Sequence, residues 1–197
     1  MRMLLLLAWL LLPVGFAIWH FGPGQEHQRI DQAGDLLAKA DEAARAERWA
    51  DAVALYDEAL KYLPEGKAVE GRKVRLEKAK AQMMAAGLNE AQDDLKTLVD
   101  ELQSDAGADQ KLLAEARSAL AQSHYYMTWL MRLEGMPRDV WEPEIEASRQ
   151  AYRLLAEQAK AAGDEAATAR YTEDVEASVR LARMELAELQ GLPLPSQ

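Results

Sequence analysis

The chain has 197 residues, a formal net charge of -10 at pH 7 and no cysteine. This length suits one domain or a short repeat array, and the abundance of Ala, Leu, Glu and Lys is typical of an all-α protein. An acidic chain without clustered Lys and Arg argues against nucleic-acid binding. Without cysteine, the chain can form no disulfide, thiolate metal site or cysteine nucleophile.

The amino-terminal stretch predicts an uncleaved membrane anchor. Arg2 is followed by an uncharged apolar run, 3–19, and a spanning helix needs about 17 to 25 apolar residues. A cleaved signal peptide, cut after the Gly-Phe-Ala triplet 15–17, is the alternative and would make the protein secreted. The positive charge at Arg2 predicts a single-pass protein with a cytoplasmic amino terminus and an exported, periplasmic remainder. We therefore divide the chain into an anchor with a short linker, 1–24, and a helical domain, 25–197.

After the linker, the chain alternates helical apolar periodicity with short breaks that contain glycine or proline. This pattern predicts seven helices. They cover about 25–45, 49 to the residue before Pro64, 67–85, 88 to the break at 104–107, 109–134, a start within 139–143 to 162, and the turn at 163–164 to the residue before Gly191. The last helix is apolar on one side only, as expected of a terminal capping helix. Its stripe comprises Tyr171, Val175, Val179, Ala182, Leu186 and Leu189.

The most specific pattern lies in the second predicted helix. Ala52, Tyr56, Ala59 and Pro64 follow the spacing small-x3-aromatic-x2-small-x4-Pro, and Trp49 begins the same segment. Two small residues on one face let a neighbouring helix approach closely, the ring fills the space between them, and proline ends the helix. The segment resembles the second helix of a tetratricopeptide repeat (TPR) with its terminating proline.

Two later helices carry the same offsets in a weaker form. The residues at these offsets are Ala91, Leu95 and Leu98 in the fourth helix and Ser148, Tyr152 and Leu155 in the sixth. The fourth helix has Gln103 where the repeat has proline, and the starting positions are more widely spaced than in a standard repeat of about 34 residues. The resemblance implies about three helical hairpins followed by a capping helix. A generic helical bundle or a coiled-coil-like array is the alternative.

A TPR-like array implies a scaffold whose concave face binds an extended peptide or a helix of a partner protein. The candidate partner-binding residues are Arg75, Lys78 and Gln82 on the basic third helix, and Tyr126, Trp129 and Arg132 on the aromatic fifth helix. For the third helix, the alternative is a solvated face on which the cations are ion-paired. For the fifth, the alternative is a core helix whose rings are buried.

The sequence predicts that the protein is not an enzyme. The three histidines, His20, His27 and His124, have no second ligand at metal-binding spacing, and no glycine-rich phosphate loop or nucleophile motif occurs. We expect no cofactor, metal, nucleic acid or small-molecule substrate. The predicted function is that of a membrane-tethered adaptor for a protein or peptide partner at the cell envelope. The alternative is a structural or assembly subunit of a membrane complex or homo-oligomer, without a free peptide groove.

Overall fold

The helices begin and end where glycine, proline and polar residues interrupt the apolar periodicity. The computed structural model describes Trp9 and residues 23–192, and residues 23–192 form eight α-helices, one short 3-10 helix and no strand. The α-helices are α1 Pro23–Arg45, α2 Trp49–Tyr62, α3 Ala68–Met84, α4 Leu88–Ser104, α5 Gln110–Leu133, α6 Arg138–Ala161, α7 Glu165–Arg183 and α8 Leu186–Gln190. The predicted all-α class is confirmed for these residues.

The chain divides into two compact units, Met1–Val74 and Arg75–Gln197, with the boundary inside α3. The predicted anchor, 1–24, lies almost wholly outside the described residues. Among the helices that the structure describes, none combines the length and the apolar character needed to cross a bilayer. Tethering and localisation therefore rest on the sequence.

Helices α1 and α2 form a hairpin in the first unit. Small side chains line their interface, where Ala40 and Ala52 are fully buried and let the two backbones approach closely. The Tyr56 hydroxyl donates a hydrogen bond of 2.6 Å to the Asp41 carboxylate across the same interface. Because the turn 46–48 is short and the helices pack together, they run antiparallel.

In the second unit, each of the helices α5, α6 and α7 packs against the helix that precedes it. The end of α3 joins α4 and α5 in an aliphatic cluster that includes Leu76, Leu95 and Leu113. Burying one leucine side chain contributes about 1.5 to 3 kcal/mol, so this cluster is a major source of stability. It holds together the three helices at the amino-terminal end of the unit.

Two aromatic clusters hold the other end of the second unit. Trp129 of α5 and Trp141 of α6 pack with aliphatic residues of α7 and α8. Tyr152 of α6 and Tyr171 of α7 form a separate cluster with small residues of α5. Because α5 contributes to all three of these clusters, it is the central helix of the part of this unit that the structure describes.

The prediction of one continuous seventh helix was wrong, because the structure has two helices in this region. α7 ends at Arg183, Met184 is extended with ψ of 143°, and α8 starts at Leu186. A straight continuation would carry Leu189 past the first turn of the antiparallel α6, beyond which α6 offers no packing surface. The break returns Leu189 to the Trp129 cluster, where it is fully buried. Leu186, which the predicted stripe includes, is 40% exposed.

Candidate partner-binding site

The residues at the repeat-like offsets are interior packing residues. Nine of them lie in α2, α4 and α6, and each is at most 6% exposed; they are Ala52, Tyr56, Ala59, Ala91, Leu95, Leu98, Ser148, Tyr152 and Leu155. Trp49 and Pro64 at the ends of the first pattern are half-buried. Alternation of small and large side chains on one helix face is what close helix packing requires. These positions therefore support the fold and offer no contact surface.

Arg75 and Lys78 of α3 are already paired within the second unit. The Arg75 guanidinium lies 2.6 Å from the Glu101 carboxylate, and the Lys78 ammonium lies 3.3 Å from that of Asp94. Both acidic partners come from α4, so these ion pairs link two helices. The Gln82 side-chain oxygen is buried and meets no hydrogen-bond donor among the described residues. This arrangement favours the ion-paired alternative for the basic face.

Tyr126 and Trp129 are buried rather than displayed to a partner. Tyr126 is 9% exposed, its hydroxyl accepts a hydrogen bond of 2.7 Å from Gln122, and burial raises its pKa. Trp129 is 5% exposed and packs against Trp141 and Leu181. The core-helix alternative therefore describes these two rings better than an exposed contact surface.

Arg132 connects α5 to the end of α7. Its guanidinium donates to the backbone carbonyls of Leu181 and Met184 and lies 4.9 Å from the centre of the Trp141 ring. Carbonyls in the last turn of a helix lack intrahelical donors, and a cation there also interacts favourably with the helix dipole. Arg132 thus has an internal structural role that sequence periodicity does not predict.

Three apolar side chains beside the aromatic segment are exposed instead. Leu130, Met136 and Val140 are 42%, 44% and 43% exposed. They lie within one helical turn of the α5–α6 connection, 134–137, where Gly135 adopts a positive φ of 73° and ends α5. We call these three residues the turn patch. The sequence analysis did not single out these three residues; their closeness to the Gly-Met-Pro break was the one sequence signal that pointed to them.

A polar cluster joins α4, α5 and α6 and was not predicted. His124 Nδ1 lies 2.6 Å from Glu144 Oε2, and the Gln92 amide nitrogen donates to the same oxygen at 2.9 Å. We assign the Nδ1–H tautomer, in which His124 donates to this oxygen; the Gln92 amide nitrogen, which also lies 2.8 Å from Nδ1, then donates to Glu144 alone. Hydrogen bonds from His124 and Gln92 hold the pKa of Glu144 below its usual range.

This cluster is half-buried, with side-chain exposures of 21% for His124 and 24% for Glu144. The carboxylate fixes the orientation of the imidazole and leaves Nε2 as its second polar atom. No local sequence signal could reveal the pair, because twenty residues and a turn separate its members. The arrangement locks three consecutive helices together through one carboxylate oxygen.

Sequence comparisons match the chain to no protein-family model and to no curated protein. The resemblance to the TPR family therefore rests on the spacing of residues in α2, with weaker support from α4 and α6. The functional assignment depends accordingly on the residues themselves and on the surface they form.

Proposed function

We propose that the protein is a membrane-tethered helical-repeat scaffold or adaptor that binds a protein or peptide partner at the cell envelope. The observation that carries this proposal is the turn patch, in which three large apolar side chains are each more than 40% exposed. Apolar side chains grouped in this way on a soluble surface are typical of protein contact sites. Arg138, which lies between Met136 and Val140 in the chain, is exposed and is of a residue type that is enriched in protein interfaces.

The repeat assignment is supported by the buried offsets in α2, α4 and α6 and by the sequential packing of α1 on α2 and of α4 to α7. A TPR-like array of about three hairpins and a terminal cap accounts for both features. In this proposal the long helices act as a rigid support, and the exposed ends and faces provide contacts. No catalytic step is assigned to the protein.

The tether is supported by the apolar run 3–19. Attachment to a membrane confines the adaptor near its partners and raises their effective concentration, so a small contact surface such as the turn patch suffices. The helical domain then lies on the exported side, as the charge at Arg2 predicts.

Affinity capture from detergent-solubilised native membranes tests the proposal. The full chain carries a carboxy-terminal tag and is compared with the triple variant Leu130→Ser, Met136→Ser and Val140→Ser. The matched control is Leu154→Ser, because Leu154 is 42% exposed on α6 but lies outside the turn patch. We expect a stoichiometric partner that the wild type and the control retain and the triple variant loses. Equal recovery by all three proteins would reject the patch, and recovery of no partner would reject the adaptor.

A structural or assembly role is the second candidate. It is favoured by two grooves along α7, the last long helix of the second unit. Apolar side chains line the bottom of each groove, and charged side chains line its edges. A terminal helix with an open face is a natural site for another subunit. This candidate predicts permanent association and needs no peptide-binding groove.

A further inference from the structure

Two open grooves run along the outer face of α7. The first lies between α6 and α7 and has a volume of about 700 Å³, and the second continues towards α8 with about 500 Å³. From these grooves we infer that α7 is the interface of a two-fold symmetric dimer. In this dimer, the charged residues at the edge of the second groove of one copy contact the first groove of the other copy. This inference develops the assembly candidate and does not depend on the adaptor proposal.

The grooves share an apolar floor. Val175 lines both of them, Ala156 and Ala169 line the first, and Val179 and Met184 line the second. Four of these five side chains are half-buried, and Ala169 is exposed. Such a strip of small and aliphatic side chains allows a second helix to pack at close range.

The rims of both grooves carry charged side chains of both signs. The first groove is bordered by Arg153, Glu157, Lys160 and Glu165, and the second by Glu176, Arg180, Arg183 and Glu188. All eight residues are exposed. Within residues 23–192, no ion pair or side-chain hydrogen bond engages any of these eight side chains. Elsewhere on α6, in contrast, Arg149 is paired with Glu146 at 2.6 Å.

The two ends of the α7 face are complementary in charge. Glu165 and Arg183 are eighteen residues apart, which is five helical turns, so they lie on the same face about 27 Å apart. A two-fold axis midway between them, at the height of Asp174, makes the α7 helices of two copies antiparallel. It places Glu165 of one copy opposite Arg183 of the other, and the same pair forms a second time by symmetry.

The α6 side of the first groove fits the same axis. The hydroxyl oxygens of Ser148 and Ser178 lie 3.3 Å apart and fix the register of α6 against α7. Arg153 is five residues beyond Ser148, so it lies at the height of Glu173, and the axis brings it beside Glu176 of the second copy. By the same register, the axis brings Glu157 beside Arg180 of the second copy.

The axis, chosen from Glu165 and Arg183 alone, thus also brings opposite charges together at two further pairs, Arg153 with Glu176 and Glu157 with Arg180. By the same register Lys160 falls at the height of Arg183 of the second copy, next to its own Glu165, and Glu188 lies beyond the break at Met184, so neither of these two residues supports the axis. An unrelated partner would not require the two grooves to complement each other, whereas a self-complementary surface is what an isologous dimer requires. For this reason the inferred occupant is a second copy of the chain.

Charge reversal on the full chain, purified in a mild detergent, tests the interface. The wild type should sediment as a dimer, with twice the monomer protein mass of 22.0 kDa. Glu165→Arg alone and Arg183→Glu alone place like charges opposite each other, and each should weaken self-association at least about tenfold. Arg170→Glu is the matched control, because it reverses a charge on α7 outside both grooves and should leave the dimer intact.

Mixing the two single variants provides the decisive measurement. In a heterodimer of the Glu165→Arg and Arg183→Glu chains, both contacts again join opposite charges, so the mixture should dimerise although neither variant does alone. The double variant should also dimerise with itself. A monomeric wild type, single variants that remain dimeric, or a mixture that stays monomeric would each overturn the inference.

A second measurement leaves the rim charges unchanged. Because the chain has no cysteine, Thr172→Cys introduces a unique thiol near the inferred axis, on the groove side of α7. A short bifunctional thiol reagent should convert this variant into a covalent dimer and should leave Arg170→Cys largely uncoupled. Equal coupling at the two positions would contradict the interface. Failure of partner capture by the turn patch would leave this result unaffected, so the two proposals fail separately.

Discussion

At the residue scale, Glu144 shows how one carboxylate links three helices. Its Oε2 atom accepts hydrogen bonds from His124 of α5 and Gln92 of α4, and both donor–acceptor distances are below 3 Å. Glu144 itself belongs to α6. The sequence places them on separate helices without any shared motif. Their effect on stability depends on pH, because the hydrogen bonds favour the ionised carboxylate.

The lowered pKa of Glu144 in the folded state sets the direction of that dependence. Glu144 stabilises the fold at pH values above its unfolded-state pKa of about 4.3, and this contribution is lost as the pH falls through the folded-state pKa. We expect Glu144→Gln to lower the free energy of unfolding at pH 7 by roughly 0.5 to 1 kcal/mol, allowing for solvent screening of a half-buried group. The difference from wild type should shrink on acidification, as measured by thermal melts from pH 7 to pH 3.

His124→Gln and the double variant complete a mutant cycle for this pair. If the interaction is direct, Glu144→Gln should cost much less stability when His124 is already replaced. Equal losses in both backgrounds, or a pH-independent loss, would contradict the assigned role of the pair.

At the element scale, Arg132 secures the end of α7 and the break that precedes α8. Its planar guanidinium donates hydrogen bonds to the carbonyls of Leu181 and Met184, and its face lies over the Trp141 ring. A lysine would keep the charge, but its ammonium group could neither donate to both carbonyls with the geometry of a planar guanidinium nor stack on the indole ring. The helix break and the arginine therefore form one structural unit, and the break lets Leu189 reach the core.

We expect Arg132→Ala to destabilise the second unit by about 2 to 3 kcal/mol, because two half-buried carbonyls lose a charged donor. Arg132→Lys should recover only part of this loss. Hydrogen exchange should detect reduced amide protection in 181–190 before any other part of α7. Arg138→Ala is the control, since Arg138 also lies near Trp141, at 5.9 Å, but is exposed. Unchanged protection at 181–190 in Arg132→Ala would show that the break does not depend on this arginine.

At the scale of the whole molecule, the division into two compact units predicts separate responses to core substitutions. Ala52→Leu overpacks the α1–α2 interface and should cost about 1 to 3 kcal/mol, with amide protection reduced mainly in 23–74. Trp129→Ala leaves a cavity in the second unit and should cost about 3 to 5 kcal/mol, with the loss mainly in 75–192.

Hydrogen exchange followed by mass spectrometry on the full chain distinguishes the two responses. If either substitution lowered protection to the same extent along the whole chain, unfolding would be a single cooperative event. An unchanged melting temperature for Ala52→Leu would mean that the α1–α2 interface tolerates a larger side chain, and it would remove the main support for the repeat-like reading of α2.

The sequence by itself determined the helical class, most helix limits and many of the buried positions. The fifth helix, for example, was predicted at about 109–134 and spans Gln110–Leu133, because a polar start and a Gly-Met-Pro end are local signals. The burial of Ala52 and Tyr56 also followed from local spacing, since residues three or four apart share one helix face.

Only the tertiary structure decided which side chains of the aromatic segment are exposed and which distant residues meet. Trp129 is buried while the adjacent Leu130 is exposed, because the packing of α5 against its neighbours selects between two apolar residues that periodicity treats alike. Three further features likewise depend on the axial register, or relative height, of neighbouring helices. They are the pairing of His124 with Glu144, the cation pairs of α3 and the break at Met184. That height is set by the packing of many side chains together, and no short stretch of sequence specifies it.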